Sequence, residues 1–119
     1  MASELKNITQ TLRKFAQDRD WEQFHSPKNL SMALSVEAAE LLEHFQWLSE
    51  EQSHQLNDEK KQAVAYEMAD IFLYLLRLSD QLNIDLIDTA HKKIQINENK
   101  YPPELARGRA DKYTAYSKE

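Results

Sequence analysis

The sequence predicts an all-α fold, a four-helix bundle in a single domain, on three observations. Apolar residues recur at spacings of three and four rather than two, three prolines and one glycine leave long uninterrupted stretches, and 119 residues suffice for one core but not for two. The first helix is expected over residues 3–19, with Leu5, Ile8, Leu12, Phe15 and Ala16 along one stripe and Trp21 and Phe24 just beyond it. Ser26 followed by Pro27 reads as an N-cap and a first helical position, opening a second helix over residues 27–47. The polar run LSEEQSHQLN (residues 48–57) reads as a loop.

Asn57 or Asp58 caps a third helix running to about residue 82, and Asn83 suits its C-terminus. Asp85 opens a fourth, carried by Leu86, Ile87, Ala90 and Ile94 and stopped by Pro102 and Pro103. Residues 108–119 form a polar tail in which Tyr113 and Tyr116 are the large apolar groups. The whole of 1–119 is expected to act as one domain.

Composition narrows the function. With no cysteine there is no disulfide scaffold, thiolate zinc site or cysteine nucleophile, and a cytoplasmic location is expected. No run of 18 apolar residues suggests a membrane span. A net charge of −5 disfavours a nucleic-acid polymer as partner, because such binding rests on a basic surface. The lone glycine, Gly108, excludes a P-loop and a dinucleotide-binding GxGxxG turn. Recognition of a small anion would therefore run through metal and side chains.

Two carboxylate pairs stand out. In VEAAELL and YEMADIFLYLL, Glu37/Glu40 and Glu67/Asp70 are each three residues apart, so both members of a pair share one helical face. Acidic pairs on helices are usually solvated, with Lys or Arg three or four residues away. Here the neighbours at those spacings are Ala33, Leu34 and Leu41 around Glu37, and Ala63, Val64 and Ile71 around Glu67. No Lys or Arg supports any of the four acids within its own helix. Like charges on a largely apolar face call for a cation. All-oxygen ligation suits a hard ion, Mg2+ with Mn2+ as a substitute, held between the second and third helices.

The arrangement ExxE then ExxD, about 30 residues on, resembles the signature of the MazG-like all-α nucleoside triphosphate pyrophosphohydrolases. Four blocks in order extend the resemblance: RDWEQFHSPKNL (19–30), EAAELLEHFQW (37–47), EMADIFLYLL (67–76) and INENKYP (96–102). They look most like the dCTP-pyrophosphatase branch and the short integron-associated MazG proteins.

The resemblance implies that Glu37, Glu40, Glu67 and Asp70 are metal ligands and that water attacks the α-phosphorus, releasing pyrophosphate and a monophosphate. Glu37 and Glu40 are both candidates for the catalytic base. It further implies that Trp21, Phe24, His25, Trp47 and Tyr74 surround base and sugar, and that Lys28, Asn97 and Lys100 reach phosphates. One departure touches base preference: where these relatives place a histidine on the first helix, this chain has Leu12. The expected assembly is a homo-oligomer, a dimer of dimers, and the expected role is house-cleaning or control of dNTP pools, with dCTP-like substrates favoured.

Two other readings fit fewer residues. A non-catalytic helical partner-binding or regulatory module would leave the acids in a solvated groove. A di-iron bundle needs Glu-x-x-His on core helices, whereas Glu51/His54 fall in the polar loop and Asp88/His91 offer an aspartate version.

Overall fold

In the computed structural model, residues 2–110 and 114 are described, and every regular element among them is helical. Tyr113 and Tyr116 of the expected tail lie outside the described residues. Six α-helices follow in order: α1 (Ala2–Asp18), α2 (Pro27–Glu43), α3 (Glu50–Ser53), α4 (Asp58–Gln81), α5 (Leu86–Lys100) and α6 (Pro103–Ala106). A 3-10 turn, Glu22–Phe24, joins α1 to α2. The chain divides into two compact units, Met1–Ile84 and Asp85–Glu119.

Within the first unit, α4 packs mainly on α2 and also on α1. Ala16, Leu30, Val64 and Leu76, drawn from all three helices, form its buried apolar centre. The ends of these helices decide where the functional side chains fall. Asp20 takes a left-handed conformation (φ 54°) after α1. Its N–H donates to Gln17 C=O (3.1 Å) and that of Trp21 to Ala16 C=O (2.9 Å). This is a Schellman closure, which Asp tolerates better than most non-glycine residues. Asn83 (φ 55°) closes α4 the same way, with Asn83 N–H on Asp80 C=O (3.2 Å) and Ile84 N–H on Ser79 C=O (2.9 Å). Ser26 caps α2 by accepting from the Asn29 N–H (3.1 Å), and Asn57 caps α4 by accepting from the Lys60 N–H (2.7 Å).

The structure differs from expectation at two places. The polar run 48–57 is not all loop, because its SEEQ segment forms a reciprocal capping box that nucleates α3. Gln52 N–H donates to Ser49 Oγ (3.1 Å) while Ser49 N–H donates to Gln52 Oε1 (2.9 Å). Secondly, α2 ends at Glu43 rather than near Trp47. There the Leu42 carbonyl accepts from both Phe45 and Gln46 (2.9 Å each), and the helix tightens into turns.

The second unit holds α5 and α6. Asp85 caps α5 by accepting from the Asp88 N–H (3.0 Å), and α6 starts with Pro103 at its first position after Pro102. No helix of the described residues is long and apolar enough to cross a membrane.

Candidate metal centre and substrate cleft

Packing of α2 against α4 brings the two acidic stretches together. Carboxylate oxygens of Glu37, Glu67 and Asp70 lie within 4.8 Å of one another. Glu37 and Glu67 are half-buried and Asp70 is exposed. Two buried oxygens, Glu37 Oε2 and Glu67 Oε2, have no hydrogen-bond partner. An orphaned carboxylate oxygen in a protein interior is costly unless something cationic meets it.

Glu40 is not one of the three clustered donors, but its charge bears on Glu37. The result is electrostatic crowding. The Glu37 carboxyl is raised from 4.5 to about 7, by burial first, then by the neighbouring Glu67 carboxyl and the charges of Glu40 and Asp70. Three converging oxygen donors with unsatisfied lone pairs fit a hard divalent cation. Among the described residues, those at hand for the di-iron alternative are not part of this cluster. Glu51, His54 and His91 are exposed, and Asp88 is paired with Lys92 (3.0 Å).

A cleft of about 410 Å3 opens beside these acids, entirely within the first unit. Glu37 and Asp70 form its acidic end. Its walls are Leu12 and Phe15 from α1, Trp21 and His25 from the α1–α2 connection, and Leu73, Tyr74 and Arg77 from α4. Asp70, Tyr74 and Arg77 stand at i, i+4 and i+7, one face of α4. The Schellman closure after α1 turns Trp21 back over Phe15, edge to face at 5.7 Å, and the 3-10 turn sets His25 edge-on to Trp21 at 6.2 Å. The Arg19 guanidinium covers the Phe15 ring at 3.6 Å.

Of the residues that the resemblance assigns to the substrate, Trp21, His25 and Tyr74 line this cleft. Phe24, Lys28 and Trp47 are exposed and do not line it, Trp47 being 86 % exposed. Asn97 and Lys100 belong to the last turn of α5 in the second unit, where the Asn97 C=O accepts from the Tyr101 N–H (2.9 Å).

Phe15, Leu73 and Arg77 line the cleft but are not among the substrate contacts expected from the sequence. For Arg77 a signal existed. It is a lone cation in the apolar run YLLRL, two turns beyond Asp70 on the same helical face. Only 6 % exposed, it donates from Nε to His25 Nδ1 (3.2 Å) and approaches Asp80 Oδ2 (3.5 Å).

Residues 32–115, which include all four acids, match the model of the MazG-like family. The chain belongs to the MazG-like family. The chain is similar to dCTP pyrophosphatase 1 of Bos taurus, 39% identical over 112 residues. The human protein of the same name is 38% identical over 112 residues. Each alignment covers 92% of this chain and 66% of the relative, so the chain spans just under two thirds of the curated relatives' length. Among solved structures, a pyrophosphatase from Archaeoglobus fulgidus DSM 4304 superposes with a TM-score of 0.79 at 39% identity, covering 83% of this chain and 93% of that one.

Proposed function

We propose that this MazG-like chain is a Mg2+-dependent pyrophosphohydrolase that converts nucleoside triphosphates, dCTP-like ones favoured, to the monophosphate and pyrophosphate. The observation that carries the reading is the convergence of Glu37, Glu67 and Asp70 at one end of an aromatic-walled cleft, with two of their oxygens unsatisfied. The relatives named dCTP pyrophosphatase and the archaeal pyrophosphatase support the same chemistry.

In this reading Glu37, Glu67 and Asp70 hold the cation, with Glu40 completing the set. A divalent ion held by these carboxylates would supply charge neutralisation for the triphosphate and acidify a water. Glu37 and Glu40 are the candidates for orienting that water and taking its proton before in-line attack at the α-phosphorus. Trp21, Tyr74 and Phe15 offer ring faces and edges to the nucleoside. Phe24, Lys28, Trp47, Asn97 and Lys100 are proposed to contact substrate in the assembled enzyme.

The assembly is proposed to be a dimer of dimers in the cytoplasm, with the chain acting as one domain. Exposed apolar side chains support an oligomer. Met68, Phe72 and Leu75 form a stripe at i, i+4 and i+7 of α4 and are 57, 43 and 37 % exposed, and Tyr66 is 66 % exposed. A helix apolar on several sides is normally covered on all of them. Physiologically, the reaction would remove unwanted nucleotides or adjust dNTP pools.

The test is pyrophosphate release from each dNTP and NTP, with Mg2+, with Mn2+, and with the metal chelated. Release that appears with metal and vanishes on chelation is expected. A folded protein that releases no pyrophosphate from any nucleotide under any of these conditions sinks the reading.

A further inference from the structure

The end of the cleft away from the acids carries a chain of charged and polar contacts that metal binding and hydrolysis do not use. Arg13 grips both oxygens of Asp80, Nε to Oδ2 at 2.7 Å and Nη2 to Oδ1. Asp80 thus offers little acceptor capacity of its own, and it lies beside the Arg77 guanidinium. Arg77 is held across the cleft wall, its Nε donating to His25 Nδ1 at 3.2 Å.

This contact has one chemical consequence. A guanidinium only donates, so Nδ1 must accept, and a neutral imidazole accepting at Nδ1 carries its proton on Nε2. Burial, then the Arg77 charge, hold the His25 pKa below its usual value, in the direction that favours this neutral form. His25 and Arg77 both line this end of the cleft, and both carry hydrogen-bond donors, His25 at Nε2. Arg77 stands seven residues beyond Asp70, about 10 Å along α4, past Tyr74. That is the span from the reacting phosphate, across the sugar, to the edge of a base.

We propose that Arg77 and the Nε2–H tautomer of His25 which it fixes are specificity-determining residues that read a base through two adjacent acceptors. Cytosine N3 and O2 form such a pair, as do guanine O6 and N7. Uracil and thymine place an N–H donor at N3 between their carbonyls, and adenine sets its amino donor beside N1 and N7, so no edge of these bases offers two adjacent acceptors. A site built of buried donors discriminates strongly on this basis, because a mismatch leaves a polar group unpaired. The inference rests on the proposed nucleotide substrate and goes beyond it by assigning the recognition chemistry.

The test uses nucleoside monophosphates, whose binding does not depend on hydrolysis. Quenching of tryptophan fluorescence by dCMP, dGMP, dUMP, dTMP and dAMP is followed in the native chain and in Arg77→Met, with circular dichroism and Mn2+ affinity as checks of fold and metal site. Long-range 1H–15N correlation spectra report which His25 nitrogen carries the proton. The native chain is expected to bind dCMP or dGMP about tenfold or more tightly than the other three. In Arg77→Met that ratio is expected to collapse toward one and the His25 tautomers to mix, while Mn2+ affinity is unchanged.

His25→Gln, which restores an N–H donor, is expected to keep part of the ratio if Arg77→Met proves misfolded. Equal binding of all five by the native chain, or a His25 protonated on Nδ1, overturns the inference even where pyrophosphate release is intact. Selective binding without any pyrophosphate release overturns the proposed activity and leaves the base reading standing.

Discussion

Carboxylate oxygens of Glu37 on α2 and Glu67 on α4 lie within 4.8 Å of each other, and each residue is left with its Oε2 unpartnered. Such a contact between two acids is stable only while they share a proton or a cation. That condition links pH, metal and stability in this protein.

The first prediction follows from the Glu37 pKa, raised from 4.5 to about 7. Between those values the folded state holds a proton that the unfolded state has released, so the folded state binds more protons. Stability of the metal-free protein must then fall as pH rises through this window. A divalent cation displaces the proton, so Mg2+ affinity should rise with pH up to about 7 and level off above it. Thermal melts on either side of the window, with and without Mg2+, check both signs: the metal-induced gain in Tm should be larger at the alkaline side.

Glu67→Gln separates stability from function. Without metal the substitution removes one of the crowded charges, and the melting temperature should rise. Metal affinity and pyrophosphate release should fall together, as they should in Asp70→Asn. Glu40→Gln is expected to lower kcat by roughly 10²–10⁴ if Glu40 takes the proton from water. A Glu40→Gln enzyme that keeps its kcat would leave Glu37 as the base.

Asp80→Asn should destabilise the protein by about 2 kcal/mol, since Arg77 is nearly buried and would lose its neighbouring carboxylate. The Arg13 guanidinium holds the Asp80 pKa below the usual carboxylate range, against the opposing effect of burial. The stabilisation is therefore present above the unfolded-state pKa and lost as pH falls through the folded one. Urea denaturation of both forms across the acid range should show the difference closing at low pH.

Leu30→Ala tests the seam between α2 and the helices it packs on. Leu30 is 1 % exposed, and truncation of a buried leucine costs about 2–5 kcal/mol. Because α2 carries Glu37 and Glu40, the melting temperature should drop before metal affinity does, and equal losses at low temperature would show that the site itself had moved.

The long helices were legible because their causes are local. Ser26–Pro27 at the start of α2, Asn57 at the start of α4, Asp85 at the start of α5 and the Pro102–Pro103 stop each act within one helical turn. The capping box of α3 was equally local, written as Ser49 and Gln52, and was obscured by its polar composition. The Schellman closures at Asp20 and Asn83 differ in legibility: Asn83 follows its helix as asparagine commonly does, while Asp20 carries a weaker preference for positive φ.

The carboxylate pairs show the same division at the site. Helical periodicity, which needs no partner, already places Glu37 and Glu40 on one face and Glu67 and Asp70 on another, with no cation within a turn of either. Which oxygens meet depends on the packing of one helix on the next. Packing of α2 on α4 clusters Glu37 with Glu67 and Asp70, sets Glu40 to one side, and brings Arg77 to His25 across 52 residues of chain. Distance along a helix is dictated by the backbone, whereas distance between helices depends on how their surfaces interlock, and only the folded chain expresses that.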